Sequence, residues 1–502
     1  MLTQIYKKIF VIGGNTSGLA AASQARRENS GIEITVLESG KYISYGACGL
    51  PYFVSGIIKD ISAIFTYPPA FFEEKRNIKI LTGHKVISID PFTKKITAEV
   101  LPLKDAANDT SGANNAGNSL YGQEKSISVF EYDRLIICSG AKPLLLDISG
   151  SKAPNVFYFR DIIDAVRIKK YIDEKKPDSA CIIGGGSTGL LIAESMASLG
   201  IRTTIIECAS KILNDYEDEI TDYLFKNASL DGMQHSQPGS NLPGVKIITG
   251  SKVKSFNTGS STGMVFSVTA APCAGSNTDA IEIDSDIVII SAGIAANTDF
   301  ISRARIDTGM KNAIKVSNMQ QSSISNIYAA GDCSLVKNIV TGSYEYIPTA
   351  ANAIKSGRVA GANAAGGYAV FEGSAETKTD RIFGVEIART GINLNKSLEY
   401  RFNPIKIIET YPSHMKALPG STGILCSLVV DKSTRRILGA QLAGKGHIAK
   451  RIDVFAAIIA AGFTVDQAYM LDTSYAPWTS TAPDAITRIC GKAVSILRSL
   501  KQ

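Results

Sequence analysis

Apolar positions come first in a short unbroken run, Ile9-Phe10-Val11-Ile12, that stops at two glycines. An apolar run of this length bounded by glycine predicts a buried strand. The alanine-rich stretch after it, NTSGLAAASQARREN (15–29), predicts a helix, and IEITVLESG (32–40) predicts a second strand. The same order returns in the middle of the chain: SACIIGGG (179–186) as strand, STGLLIAESMASLG (187–200) as helix, IRTTIIEC (201–208) as strand. Two strand–turn–helix–strand units imply two nucleotide-type ligands or one duplicated fold. Three polar segments interrupt the pattern, at residues 104–125, 229–244 and 257–279, and read as surface loops that carry no chemistry. Beyond residue 372 the pattern changes. Strand-like GILCSLVVDK (423–432) and RRILGAQLAG (435–444) adjoin a helix-like KRIDVFAAIIAAGF (450–463), which predicts a separate α+β domain.

Composition narrows the class without choosing within it. A chain of 502 residues is too long for one core, so two to four domains are expected. The formal charge of +7 is spread thinly, which suits a small anionic ligand and not nucleic acid. No apolar run is long enough to span a bilayer, and the N-terminal IFVIGG is too short for a signal segment. The eight cysteines, 48, 138, 181, 208, 273, 333, 426 and 490, contain no CxxC pair. That argues against a zinc site or a secreted disulfide framework and for a reducing, cytoplasmic setting, with no metal.

The glycine turns carry the first chemistry. In Gly13-Gly14-Asn15-Thr16-Ser17-Gly18, Gly13 permits the tight turn and Gly18 lets helix and strand pack closely. The helix N-terminus then faces a pyrophosphate. Glu38, at the end of the second strand, is placed to accept from ribose hydroxyls. Asn15 stands where a middle glycine is usual. The second turn, Gly184-Gly185-Gly186-Ser187-Thr188-Gly189, is a complete GxGxxG, with Glu207 ending the following strand. A carboxylate there suits a free ribose 2′-hydroxyl and repels a 2′-phosphate, which favours NADH and leaves NADPH as the second choice, with Arg202 nearby. A third element, SNIYAAGD (325–332), ends a strand in Gly331-Asp332 and sets an acceptor beside a ligand hydroxyl.

With the segment DRLIICSGAKP (133–143), these motifs resemble, in their order, the pyridine nucleotide–disulfide oxidoreductase family. The resemblance implies FAD on Gly13, Gly14, Gly18, Glu38, Ser139, Gly140, Gly331 and Asp332. It implies NADH on Gly184, Gly186, Gly189 and Glu207. The fold it implies is α/β: two Rossmann-like dinucleotide-binding domains and a C-terminal α+β dimerisation domain. An FAD domain would run over 1–148 and 298–372, an NAD(P)H domain over 149–297, and the dimerisation domain over 373–502.

The segment Ser44-Tyr45-Gly46-Ala47-Cys48-Gly49-Leu50-Pro51-Tyr52 sets the branch. Disulfide-type members carry CxxxxC, but Ile43 and Phe53 occupy the partner positions, so no redox disulfide forms within this motif. SYGACGLPY is similar to the single-cysteine branch of coenzyme A disulfide reductases, NADH oxidases and peroxidases, and polysulfide reductases. Cys48 would then carry a mixed disulfide or a sulfenic acid. A helix N-terminus would stabilise its thiolate, and its small neighbours allow a ring to approach. The other seven cysteines read as inert, in strands or loops.

Family members that reduce oxygen or peroxide carry a histidine in the first turn, where Asn15-Thr16-Ser17 stand here. The resemblance therefore favours a small-molecule disulfide, with coenzyme A disulfide first, over oxidase or peroxidase chemistry. Arg26 and Arg27 fall where family arginines meet coenzyme A phosphates, and the resemblance would make Ser44 a further substrate contact. Tyr475, in DTSYAP (472–477), falls where a tyrosine of the partner subunit in a homodimer assists the leaving thiolate. Two departures touch the substrate pocket: HAxYYPG becomes HMKALPG (414–420), and GVDKRID becomes GHIAKRID (446–453). Polysulfide reductases often carry a rhodanese-like domain beyond this point, so that alternative weighs less. The remaining alternative is a redox-sensing flavoprotein without turnover.

Overall fold

The computed structural model describes residues 7–103, 126–230, 242–273 and 279–500. The first predicted unit forms as strand Lys8–Ile12, helix Thr16–Glu28 and strand Glu33–Leu37. Ile9 and Val11 face one core cluster while Phe10 and Ile12 face another. Burial on both faces is why the run is apolar throughout instead of alternating. The parallel sheet around it has five strands in the order Ile327–Ala329, Arg134–Ile137, Lys8–Ile12, Glu33–Leu37 and Lys79–Leu81. Ile327–Ala329, 190 residues beyond the neighbouring strand's Ile137, thus completes the sheet that Lys8–Ile12 begins.

The second unit repeats this arrangement in Ser179–Ile183, Ser187–Ser198 and Arg202–Ile206. Its five-stranded parallel sheet runs Val245–Ile248, Arg202–Ile206, Ser179–Ile183, Ile287–Ile290, Val156–Tyr158. Each sheet is accompanied by a three-stranded antiparallel one. In the first unit it is built from His84–Asp90, Lys95–Val100 and Ser126–Glu131. In the second it is built from Ser251–Thr258, Val265–Pro272 and Ile281–Asp284. The loop expected over 257–279 is therefore corrected, because Val265–Pro272 is the middle strand of that sheet. Its Val265, Ser267, Val268 and Ala270 are buried, while Phe266 faces out and Thr269 is half-buried. Residues 104–125, and most of 229–244, lie outside the described residues.

Helix Ala350–Ala364 crosses helix Thr16–Glu28 at backbone contact. A Cβ on Gly357 would lie 2.4 Å from the Ser17 carbonyl oxygen, so only glycine permits this approach. The C-terminal region forms a five-stranded antiparallel sheet in the order Lys378–Ile382, Val385–Gly391, Ile437–Gly444, Gly423–Asp431, Pro404–Pro412. Helices Ala449–Ala460 and Ala485–Ser499 share its apolar core through Phe455, Ile458, Ile489 and Val494. The α/β architecture with a C-terminal α+β domain is the expected one. Among the described residues no helix is long and apolar enough to cross a membrane.

Candidate nucleotide sites and active thiol

At the first turn Gly13 has φ +109°, and a Cβ there would lie 2.2 Å from the Cys138 carbonyl oxygen. The helix that follows has no side-chain N-cap, so its first-turn N–H groups are left for an anion. Glu38 reaches back to this turn, accepting from the Gly14 N–H at 2.7 Å and the Gly40 N–H at 2.7 Å. Burial pushes its carboxyl above the usual range against the pull of those two bonds and of Ser39. Gly331, at φ +79°, packs so tightly on the same helix that a Cβ would meet Ser17 Oγ at 2.5 Å. That contact carries Asp332 to the first turn from far along the chain. Ser139 Oγ donates to the Asn297 carbonyl at 2.7 Å, and the Gly140 carbonyl accepts from Asn297 N–H at 3.0 Å.

The second turn repeats the geometry. Gly184 has φ +112° against the Ser291 carbonyl, and Gly186 has open space where a Cβ would stand. Glu207 accepts from Gly185 N–H at 2.6 Å and Ala209 N–H at 2.8 Å. Its helix likewise has no side-chain cap. Ser187 Oγ instead donates to Asp380 Oδ2 of the C-terminal domain at 2.7 Å.

Cys48 lies in a single 3₁₀ turn, Ala47–Gly49, leading into helix Leu50–Val54. That helix is only five residues long, so its dipole gives a thiolate less help than the sequence suggests. What fixes the segment is packing. Leu50 and Val54 are buried in one cluster with Ile162, Ile192 and Ala193 of the second unit, and Ser195 Oγ donates to the Pro51 carbonyl at 2.9 Å. The turn therefore sits where the two nucleotide-binding units meet, with Cys48 exposed. Ser44, at φ +54°, donates its N–H to the Gly14 carbonyl at 3.2 Å and so ties the thiol segment to the first turn. Tyr52 follows Cys48 by one turn. Burial, with Glu194 and Asp380 adding to it, holds its phenol above the usual range.

The remaining candidates are placed differently. Arg26 donates to three backbone carbonyls, of Arg76, Ser30 and Asn77, at 3.1, 2.5 and 2.7 Å, so its guanidinium is committed to closing helix Pro69–Arg76. Arg27 is exposed beside Gln24. Tyr475 is 54% exposed, beside Trp478 at 60% and Met470 at 78%. So large an apolar surface on one segment is what a subunit interface covers. Trp478 stacks on His414, which lies 6.2 Å from His447.

Two arginines have roles that the sequence did not assign. Arg160 donates to Asp332 Oδ2 at 2.8 Å and so orients the Gly-Asp carboxylate. Arg451, buried, donates to Asp484 at 2.7 Å and to the carbonyls of Ser413, His447 and Thr479, tying together the segments at 413, 447 and 479–484 beside the chain that carries Tyr475. Nothing in their local sequence marks them, because their partners are distant. The expected placement of the other seven cysteines in strands or loops is corrected at Cys490. Cys138, Cys181, Cys333, Cys426 and Cys490 are buried, Cys490 in a helix. Cys208 and Cys273 are neither buried nor apart: their sulfurs are 2.9 Å from each other.

These sites can be set beside known proteins. Residues 7–357 match the family model "pyridine nucleotide-disulphide oxidoreductase", and residues 380–485 match that family's dimerisation domain, which supports a homodimer. The chain is 30% identical over 477 residues to an NAD(P)H sulfur oxidoreductase (CoA-dependent) of Pyrococcus abyssi, covering 95% of this chain and 96% of that protein. It is 25% identical over 494 residues to a coenzyme A disulfide reductase of Staphylococcus haemolyticus, covering 97% and 99%. Among solved structures, a NAD-dependent persulfide reductase from A. fulgidus superposes with a TM-score of 0.84 at 30% identity, over 98% of this chain and 84% of that one. The two glycine turns with their acidic partners fit the FAD and NAD(P)H that such enzymes use. This chain belongs to the pyridine nucleotide–disulfide oxidoreductase family.

Proposed function

We propose that the protein is an NAD(P)H-dependent reductase of low-molecular-weight sulfur–sulfur bonds, with coenzyme A disulfide or coenzyme A persulfide as substrate. The observation that carries this is Cys48, an exposed thiol with no sulfur partner among the described residues, held where the two nucleotide-binding units meet. FAD would be held by the Gly13–Gly18 turn, Glu38, Ser139-Gly140 and Gly331-Asp332. NADH would be held by Gly184, Gly186, Gly189 and Glu207. Bound there, FAD supplies the two-electron relay from nicotinamide to sulfur. The chain's own part is to present the thiol. Cys48 takes one sulfur of the substrate as a mixed disulfide and releases the other as a thiolate. Tyr475 of the partner subunit meets that leaving group with its hydroxyl, at the surface that Arg451 holds in shape. Arg26 has less claim to a coenzyme A phosphate than Arg27, because three of its five N–H donors are used on backbone carbonyls. Domain boundaries near residues 148, 297 and 372 suit these roles.

Sulfur reduction gains weight over the sequence reading. A relative named for sulfur reduction is matched over 96% of its own length. Mass measurement of the non-reduced protein tests the proposal, with Cys48→Ser as control. A reductant-labile mass gain of one coenzyme A, absent from Cys48→Ser, supports it. A gain of one oxygen on Cys48, with NADH turnover on oxygen or peroxide alone, replaces it by oxidase or peroxidase chemistry.

A further inference from the structure

We infer that Cys208 and Cys273 form a second thiol–disulfide couple beside the nicotinamide-nucleotide turn, oxidised by low-molecular-weight disulfides. The two residues are 65 apart in sequence, and the fold brings their Sγ atoms to 2.9 Å. A disulfide needs about 2.05 Å, so roughly an ångström of movement, shared between side chains and the adjoining backbone, closes the bond. Backbone hydrogen bonds already hold the two segments side by side. Cys273 N–H donates to the Gly250 carbonyl at 2.7 Å, and Gly250 N–H donates to the Ala209 carbonyl at 2.7 Å. The Cys273 thiol lies 3.2 Å from the Cys208 carbonyl oxygen. Cys208 is exposed and Cys273 partly so, unlike the five buried cysteines. Exposed pairs of this kind make the labile, regulatory disulfides.

The reaction balances without any other reagent. The Cys208 thiolate attacks a disulfide R–S–S–R and releases one R–S⁻. The Cys273 thiolate then attacks the Cys208 sulfur and releases the second. One dithiol is oxidised by two electrons, one small disulfide is reduced to two thiols, and the two cysteine protons pass to the leaving thiolates. Excess thiol reverses it.

The place of the couple gives it a consequence. Cys208 sits between Glu207 and Ala209, and the Ala209 N–H is one of the two donors that aim the Glu207 carboxylate. Drawing Cys208 toward Cys273 pulls that donor away. Oxidation is therefore expected to weaken nucleotide binding by about threefold to tenfold, the worth of one hydrogen bond. This consequence rests on Glu207 as the ribose acceptor; the formation of the bond does not.

The test uses the reduced holoenzyme exposed to coenzyme A disulfide without NADH, then denatured, alkylated and mapped by peptide mass. A reducible Cys208–Cys273 cross-link is expected, with a mixed disulfide at Cys208 in Cys273→Ser. Full alkylation of both residues, or a mixed disulfide that persists on Cys208 in the unsubstituted protein, overturns the couple. Calorimetry with NAD⁺ then compares reduced and oxidised forms. Weaker binding after oxidation, absent in Cys273→Ser, is expected. Equal binding with the bond formed overturns the coupling. Failure of even the reduced protein to bind NAD⁺ overturns the reading of Glu207 while leaving the cross-link result intact.

Discussion

Glu38 and Glu207 hold the same post in two successive folds. Each carboxylate accepts the N–H of the second glycine of its turn, Gly14 at 2.7 Å and Gly185 at 2.6 Å. Each also accepts an N–H from two residues further on, Gly40 and Ala209. If the first serves FAD and the second NADH, their losses separate. Glu207→Ala should raise the KM for NADH about tenfold, in keeping with loss of one charge-assisted bond, and raise that for NADPH less. Its ratio of absorbance at 450 to 280 nm should match the unsubstituted protein. Glu38→Gln should instead lower that ratio after dialysis. An unchanged NADH KM in Glu207→Ala would sink the assignment.

Cys48→Ser should abolish reduction of coenzyme A disulfide, by about a thousandfold or more, since a hydroxyl cannot replace a thiolate nucleophile. The yellow colour should still bleach on adding NADH. Disulfide turnover that survives the substitution would move the chemistry to another sulfur, with Cys208 the first to examine.

Tyr475 is proposed to act in the active site of the opposite subunit, and mixed dimers test this. Cys48→Ser and Tyr475→Phe chains each form impaired homodimers. Co-refolded, half the dimers pair one of each and hold one complete site, so about a quarter of full activity should return. If Tyr475 served its own chain, mixing would restore nothing.

Arg451 and Asp484 form a buried pair, with 9% and 7% of their side chains exposed. Removing one partner strands the other, at a cost of about 3–5 kcal/mol. Asp484→Asn should therefore lower the melting temperature and loosen the Tyr475 segment, seen as faster amide exchange over 472–480. A paired replacement, Arg451→Met with Asp484→Leu, should recover more stability than activity.

The parts legible in the sequence are those set by neighbours in the chain. Gly13, Gly18 and Glu38 lie within one strand–helix–strand unit, and local patterning finds them because backbone approach at Gly13 excludes any Cβ. Cys48 stood out for a similar reason, with small residues on both sides. Arg160 on Asp332, Arg451 on Asp484 and Cys208 on Cys273 each join residues at least 33 positions apart. Their letters carry no local signal, since the tertiary fold alone makes them partners. The strand at 265–272 was missed because Ser, Thr and Ala interleave its apolar positions, and half-buried alternation in a small sheet resembles a polar loop.

Arg389 joins the second nucleotide-binding unit to the C-terminal domain, donating to Asp215 at 3.2 Å and to Glu376 at 3.0 Å. Burial disfavours charge on both carboxyls. That is the largest single influence on each, but Arg389 together with Lys378 at Asp215, and together with Lys396 at Glu376, outweighs it, and both pKa values end below the ordinary 3.8 and 4.5. A depressed folded pKa contributes stability above the unfolded value, which is lost as pH falls through the folded one. Asp215 keeps 59% of its side chain exposed, so Glu376, at 11%, carries most of the effect. Arg389→Met should thus lower the urea midpoint clearly at pH 7. The gap from the unsubstituted protein should narrow below about pH 4, as the carboxyls gain protons in both. Urea titrations from pH 7 to pH 3 check this, and a gap that stays constant over that range would remove the carboxylates from the account.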